Sequence, residues 1–242
     1  MQDRRTEPSA ESRSTAEPPA DDRKGHRDRL RARFLADGGA AMPDYELLEL
    51  LLFSAIQRRD TKPIAKALIA RFGSYAGVIR AAPADLKTVD DVGDSVVVAL
   101  KVVAAAAERL ARHAVIDRPV LSSWDRLIEY LRISMGHARN EQFRILFLDT
   151  KNALIADEVQ QTGTVNHTPV YPREVLRRAL EVGATAIIMV HNHPSGDPTP
   201  SQADIAMTRE VKDAGASLGV ALHDHVIITR ANYRSMRAMG LI

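Results

Sequence analysis

Cysteine is absent from the 242 residues of the chain. Its absence excludes disulfide bridges, zinc sites built on cysteine and a thiol nucleophile, and it agrees with a reducing compartment. Long apolar runs are also missing: no stretch reaches the ~18 apolar residues of a membrane helix, and the amino terminus lacks the apolar core of a signal peptide. The net charge is only +2, so charge alone indicates neither a nucleic acid nor a membrane as partner. We expect a soluble, cytoplasmic protein that does not contact membranes.

The composition changes along the chain and predicts four regions. Residues 1–25 have no large apolar side chain after Met1, so they cannot offset the entropy of ordering, and we predict a disordered tail. Residues 26–112 show apolar residues at helical spacing and no strand alternation, which predicts a small all-α domain. Residues 113–119 predict a linker that is broken by a proline. In residues 120–242 strands alternate with helices, which predicts an α/β domain.

Within these regions, periodicity and breakers predict the individual elements. The helices are expected within 44–56, 62–73, 74–81, 83–89, 94–113, 123–135, 171–183 and 201–215, and the strands within 141–165 (two strands around a Thr-Lys-Asn turn), 184–190 and 219–230. Asp44, directly after a proline, is suited to cap the first of these helices.

The most informative stretch is "MVHNHPSGDPTPSQADIAM", residues 189–207. His191 and His193 leave the end of a predicted strand, where side chains at i and i+2 project to the same face. Ser201 has the position of a helix N-cap, and Asp204 would lie in the first turn of that helix. Two imidazoles and a carboxylate form a three-ligand zinc site with an open position for water, whose pKa the metal lowers to about 7.

Other interpretations of these residues remain open. Asp204 could merely complete a capping box, and the two histidines could be loop residues that bond to the backbone. The letters HNH do not indicate the nucleases of that name, whose motif residues are widely separated, and the H-E-x-x-H pattern of the zincins is absent.

The spacing H-x-H-x7-S-x2-D matches the core motif of the JAMM (MPN+, JAB) metalloproteases. The string "HNHPSGD", with "HDH" downstream, resembles the bacterial RadC family (UPF0758-type), and similar segments cover residues 25–242. The resemblance implies a fold in which a JAMM/MPN domain, a cytidine-deaminase-like mixed sheet, follows a small all-α domain of the helix-hairpin-helix type.

The same resemblance implies a zinc-dependent hydrolase of peptide or isopeptide bonds, whose peptide or protein substrate is not defined by the sequence. His191, His193 and Asp204 would bind Zn²⁺, and the Ser201 hydroxyl would stabilise the oxyanion. A glutamate would act as the general base. The candidates are Glu141, Glu158, Glu174 and Glu181. The family glutamate stands at the start of the strand that enters the domain, which corresponds to Glu141.

A second pair of histidines, His223 and His225, stands on a predicted strand. On a regular strand they would share a face while Asp224 points away. They could bind a second metal, orient the ligands of the first, or be ordinary strand histidines.

Two features of the helical region suggest DNA as a partner. Six basic residues stand close together: Arg23, Lys24, Arg27, Arg29, Arg31 and Arg33. They indicate either a solvated helix face, which we favour, or an arm that contacts phosphate. The turn Asp91-Val92-Gly93 resembles the G-h-G turn of a helix-hairpin-helix, with an aspartate in place of the first glycine. The alternative function is therefore a DNA-associated protein of repair or recombination whose JAMM domain mainly binds.

Overall fold

The structure is a computed structural model that describes residues 20–116, 119–162 and 170–242. Most of the predicted tail, part of the predicted linker and the segment 163–169 lie outside the described residues. The chain divides into two compact units, with the division between Lys101 and Val102.

The first unit is helical, as the apolar spacing predicts. Its helices are α1 (Ala20–Asp37), α2 (Asp44–Ala55), α3 (Lys62–Phe72), α4 (Tyr75–Arg80), α5 (Pro83–Leu86) and α6 (Asp94–His113), which continues into the second unit. Buried leucines from successive helices, such as Leu48, Leu68 and Leu100, fill its interior. Residues 20–25, which composition assigned to the tail, form the beginning of α1.

Helix α3 ends where the sequence predicts, but the expected role of Asp44 as a cap is wrong. Gly73 ends α3 in the left-handed conformation, with φ of 83°, which costs glycine little. Asp44 does not cap its own helix, because its carboxylate accepts the backbone N–H of Tyr75 at 2.7 Å instead. The aspartate thus serves the first turn of α4, where Ser74 already provides the N-cap.

The second unit contains a mixed five-stranded sheet in the order β2-β1-β3-β4-β5. Its elements are a 3₁₀ turn at Val120–Ser123, α7 (Trp124–Met135), β1 (Gln142–Leu148), β2 (Leu154–Thr162), α8 (Pro172–Glu181), β3 (Ala186–Asn192), α9 (Gln202–Ser217), β4 (Ala221–Ile228) and β5 (Tyr233–Ser235). Only β3 and β4 are parallel. The sheet with its helices confirms the predicted α/β class, although β5 was not predicted.

Both faces of the sheet are covered, which explains why β3 is buried at every position. On one face, α7 packs with Leu127 and Leu131 against alternate residues of β1, β3 and β4. On the other face, α8 and α9 pack with Leu176 and Val211 against the intervening residues. The cross-strand partner of His191 in β1 is Phe143, so His191 belongs to the face covered by α8 and α9.

Candidate metal centre

The end of β3 and the beginning of α9 bring the two predicted histidines and the aspartate together. His191 lies in β3, His193 follows its last residue, and Asp204 occupies the first turn of α9. Among the residues that the structure describes, these three form the group able to hold a metal ion, with one ligand atom from each lying within 4.8 Å of the others.

The distances within this group fit a tetrahedral ion. The Nε2 atoms of His191 and His193 are 2.9 Å apart, and His191 Nε2 lies 3.7 Å from Asp204 Oδ1. Two ligands that are about 2.0–2.1 Å from a tetrahedral zinc ion lie about 3.3 Å from each other. The two observed distances lie on either side of this value, and the ligand atoms of all three groups lie within 4.8 Å of one another.

The partner of His193 fixes which of its nitrogens is available. His193 Nδ1 lies 2.7 Å from the backbone carbonyl of Asp197. A carbonyl only accepts hydrogen bonds, so Nδ1 carries a proton, and in the neutral ring Nε2 is the nitrogen that can bind a metal. His193 Nε2 lies 2.9 Å from His191 Nε2.

Asp204 is oriented by a complete capping box. Its Oδ2 accepts the backbone N–H of Ser201 at 2.7 Å and the Ser201 hydroxyl at 2.6 Å. In return, the Ser201 hydroxyl oxygen accepts the backbone N–H of Asp204 at 3.1 Å. The capping interpretation and the ligand interpretation are therefore compatible, because the box occupies Oδ2 and leaves Oδ1 facing His191.

Burial keeps the inner histidines neutral. Loss of hydration lowers the pKa of His191 from 6.5 to about 4; the carboxylate of Asp204 acts in the opposite direction, and His193 lowers it further. Burial also lowers the pKa of His225 well below its usual value, with His191 and His193 adding to the effect. At neutral pH the His191 ring therefore need not lose a net proton before it binds a metal.

Glu141 lies directly before β1, at the edge of the sheet where the histidines stand. The pairing of Phe143 with His191 places Glu141 opposite His193 when the register is continued by two residues. The period of two then puts Glu141 on the same face as Phe143. The backbone is held here by a bond from Gln142 N to Asn192 Oδ1 of 2.8 Å.

The other three candidate glutamates are engaged by arginines of α8. Glu158 accepts two bonds from the Nε and Nη2 atoms of Arg178, at 3.0 and 2.6 Å. Glu174 pairs with Arg177 at 3.2 Å, and Glu181 pairs with Arg177 and Arg178. Their carboxylates lie against α8, and the choice of Glu141 as base stays a prediction supported by its position directly before β1.

The second histidine pair is split by an irregularity of β4. The register of β4 against β3 shifts between Leu222 and Asp224, so the prediction that His223 and His225 share a face is wrong. His223 bonds to Asn152 in the β1–β2 turn at 2.6 Å, whereas His225 Nε2 lies 2.7 Å from His191 Nδ1.

The register shift also turns Asp224 inwards. Its carboxylate accepts the backbone N–H groups of His225 and Arg237 and the hydroxyl of Ser235. This buried carboxylate joins β4 to β5 and to the turn that follows.

Two residues near the centre were not identified from the sequence. Phe143 is buried, stacks beside the ring of His191 and meets His225 edge-on, with ring centroids 6.2 and 5.6 Å apart. Thr208 is fully buried and its hydroxyl lies 2.6 Å from His225 Nδ1. Thr208 stands four residues after Asp204, the helical spacing that brings two residues to one face, and this is the signal that could have found it.

In the first unit, much of the basic run is engaged within the chain. Arg27 donates to the carbonyls of Ile56, Gln57 and Arg59, each at 2.8 Å. Arg33 pairs with Glu46 at 2.8 Å. These contacts involve two of the six basic residues, and both a solvated helix face and a phosphate-contacting arm stay predictions for the run.

The backbone conformation of the Asp91-Val92-Gly93 turn explains why the G-h-G turn normally has a glycine at its first position. Asp91 has a positive φ of 65°, a conformation that glycine adopts freely and aspartate tolerates. Its carboxylate pairs with Arg59 at 2.6 Å. DNA binding through this turn stays a prediction. Separately, no helix in the described part of the chain has the length and apolar character needed to cross a membrane.

Comparisons with known proteins relate the second unit and the whole chain to one group. Residues 121–241 match the family described as RadC-like JAB domain. A UPF0758 protein of Rhodobacter capsulatus is 59% identical over 213 residues, an alignment that covers 88% of this chain and 100% of that relative.

Proposed function

The chain belongs to the RadC family, with a RadC-like JAB domain over residues 121–241, and from this premise we propose that it is a zinc-dependent metallohydrolase of the JAMM type. The observation that carries the proposal is the facing of two imidazole nitrogens, 2.9 Å apart, beside a carboxylate oxygen. The bond to the Asp197 carbonyl places a proton on His193 Nδ1, so in the neutral ring Nε2 is the nitrogen that can bind a metal. The three groups can bind one cation together.

The chemistry of the donors supports zinc. Two neutral imidazoles and one carboxylate are a usual set for a catalytic zinc ion, which keeps a fourth position open. When bound, zinc polarises a carbonyl and makes water available as hydroxide near neutral pH. His191, His193 and Asp204 would hold the ion, and the capping box around Asp204 Oδ2 would keep Oδ1 directed at it.

Glu141 would move the proton. As the base, its carboxylate accepts a proton from the attacking water while the water oxygen bonds to the substrate carbonyl carbon. Glu141 then donates that proton to the amine nitrogen as the C–N bond breaks. One amide and one water thus yield a carboxylic acid and an amine, and Glu141 returns to its starting form.

Ser201 has a different primary task in this structure from the one first expected. Its hydroxyl proton is directed at Asp204 Oδ2, 2.6 Å away. To stabilise an oxyanion, the hydroxyl would have to rotate towards the substrate and leave Oδ2 with the Ser201 N–H alone. We therefore propose that Ser201 mainly orients Asp204, with oxyanion stabilisation as a second role.

The experiment combines metal analysis with a peptide-library digestion. The purified chain is expected to hold about one zinc ion and to cleave peptides in a manner that chelator abolishes and added zinc restores. Glu141→Gln is expected to keep the zinc but to lose at least about 100-fold in turnover. Glu210→Gln, the same change at an exposed position of α9, is the control and should behave as wild type.

Two results would contradict the proposal. If the wild-type protein holds no zinc after purification and after reconstitution, the proposed metal site is wrong. Cleavage that persists in chelator, or in Glu141→Gln at the wild-type rate, would assign the activity to another mechanism.

A further inference from the structure

A line of buried polar side chains continues from His191 away from the proposed metal. His191 Nδ1 lies 2.7 Å from His225 Nε2, and His225 Nδ1 lies 2.6 Å from the Thr208 hydroxyl. Thr208 Oγ1 in turn lies 2.5 Å from the backbone carbonyl of Asp204. All three side chains are fully buried, so solvent does not supply alternative partners.

The carbonyl at the end of this line determines the direction of every bond in it. A carbonyl oxygen has no proton, so at 2.5 Å the single hydroxyl proton of Thr208 must point at Asp204 O. The hydroxyl oxygen then accepts from His225 Nδ1–H, which leaves His225 Nε2 as an acceptor. That acceptor is met by His191 Nδ1–H, and His191 Nε2 is left as a lone pair.

The short distance between Thr208 Oγ1 and the Asp204 carbonyl disfavours the opposite direction. If Thr208 donated to His225 Nδ1, its oxygen and the Asp204 carbonyl would face each other at 2.5 Å with no proton between them. The Met236 sulfur, 3.6 Å from Oγ1, is a much weaker acceptor than the carbonyl. Buried polar groups in general need hydrogen-bond partners but can donate in either direction. Here the carbonyl of Asp204 favours one direction of donation along the whole line.

We propose that Thr208 and His225 are positioning residues that hold His191 in the Nδ1–H form, so that Nε2 is always ready to bind the metal. The inference rests on the proposed metal site. It adds that α9 controls two ligands at once, because the carboxylate of Asp204 is the third ligand while its carbonyl sets the tautomer of the first. A shift of the first turn of α9 would alter both.

The direct test is the tautomer of His191 in metal-free protein, measured by long-range ¹H–¹⁵N correlation at mildly alkaline pH, where imidazole is neutral. We expect His191 and His225 to carry their protons on Nδ1 in the wild type and in Thr208→Ser, which keeps the hydroxyl. In Thr208→Val, which has the same shape without the hydroxyl, both are expected to become tautomer mixtures. His191 protonated mainly on Nε2 in the wild type would overturn the proposal.

Zinc affinity provides the second readout. Loss of such an outer hydrogen bond typically costs about 10–100-fold in metal affinity, so we expect that loss in Thr208→Val and wild-type affinity in Thr208→Ser. Equal zinc affinity and unchanged tautomers in Thr208→Val would refute the positioning role. Wild-type protein with the expected tautomers but no zinc affinity would refute the proposed function instead, so the two failures are distinguishable.

A pair of variants at His225 keeps the test valid should Thr208→Val fail to fold. In His225→Gln the amide oxygen takes the place of Nε2 and still accepts from His191 Nδ1, whereas His225→Leu offers no acceptor. We expect the glutamine variant to bind zinc at least about 10-fold more tightly than the leucine variant. Equal affinities in the two would contradict the proposal.

Discussion

The sharpest prediction separates the two tasks of Asp204, capping and metal binding. In Asp204→Asn the side-chain oxygen can still accept the Ser201 N–H, and the backbone N–H still bonds to the Ser201 hydroxyl, as in the native box. The variant loses the negative charge and places an NH₂ group where Oδ1 faces His191. The cost to the metal-free protein is therefore the charge–dipole contribution at a helix start, about 0.3–1 kcal/mol.

The effect on zinc binding should be far larger. A ligand present at 100 times its Kd stabilises the folded state by about 2.7 kcal/mol, and in a unit of this size that corresponds to a rise in Tm of about 10 °C. We expect wild type to show this rise when zinc is added and to lose it in chelator. Asp204→Asn should show little or no rise, because a neutral amide is a poor zinc ligand.

The assay is thermal unfolding with zinc or with chelator, followed by a signal from the second unit. Asp213→Asn is the matched control, since it makes the same chemical change at an exposed position of the same helix. The control should keep the full zinc response. The reasoning is refuted if Asp204→Asn is stabilised by zinc as much as wild type is.

Further predictions concern stability. Asp157→Asn should lower the free energy of unfolding in urea by about 3–5 kcal/mol, because it leaves the buried guanidinium of Arg144 without its charge partner. Asp28→Asn removes a charge from an exposed pair and should lower it by less than about 1 kcal/mol. Equal losses in the two variants would contradict this prediction. In metal-free protein the contribution of His191, whose pKa is lowered from 6.5 to about 4, is complete above pH 6.5 and lost as the pH falls towards 4. A urea midpoint that stays constant over this interval would disagree. Asp91→Gly should be more stable than Asp91→Ala by about 1 kcal/mol, because alanine is strained at positive φ; calorimetry of both variants checks the order.

The parts of the fold that follow from local patterns could be predicted from the sequence. The helices of the first unit have clear apolar periodicity, the strand that carries His191 follows a short apolar run, and the prediction of an α/β second unit was confirmed. β5 was missed because Tyr233–Ser235 is only three residues long, too short for alternation to be recognised. Its pairing with β4 is decided by tertiary context.

The proposed metal ligands could be predicted from the sequence, whereas the contacts that depend on the register between strands could not. The spacing of His191, His193 and Asp204 placed all three on suitable elements, and the structure brings them together. The different environments of His223 and His225 depend on a shift of register in β4. The residue types in "HDH" do not predict this shift. The bond between His225 and Thr208 joins residues of two different elements, so only the folded chain reveals it.

The uneven burial of the three proposed ligands has a consequence for substrate entry. His191 is buried and stacks beside the ring of Phe143, while His193 and Asp204 are each partly exposed. An ion held between them would be nearest to solvent on the side of His193 and Asp204. For the proposed hydrolysis the substrate would approach from that side, and the loop between His193 and Ser201 is the first place to search for determinants of specificity.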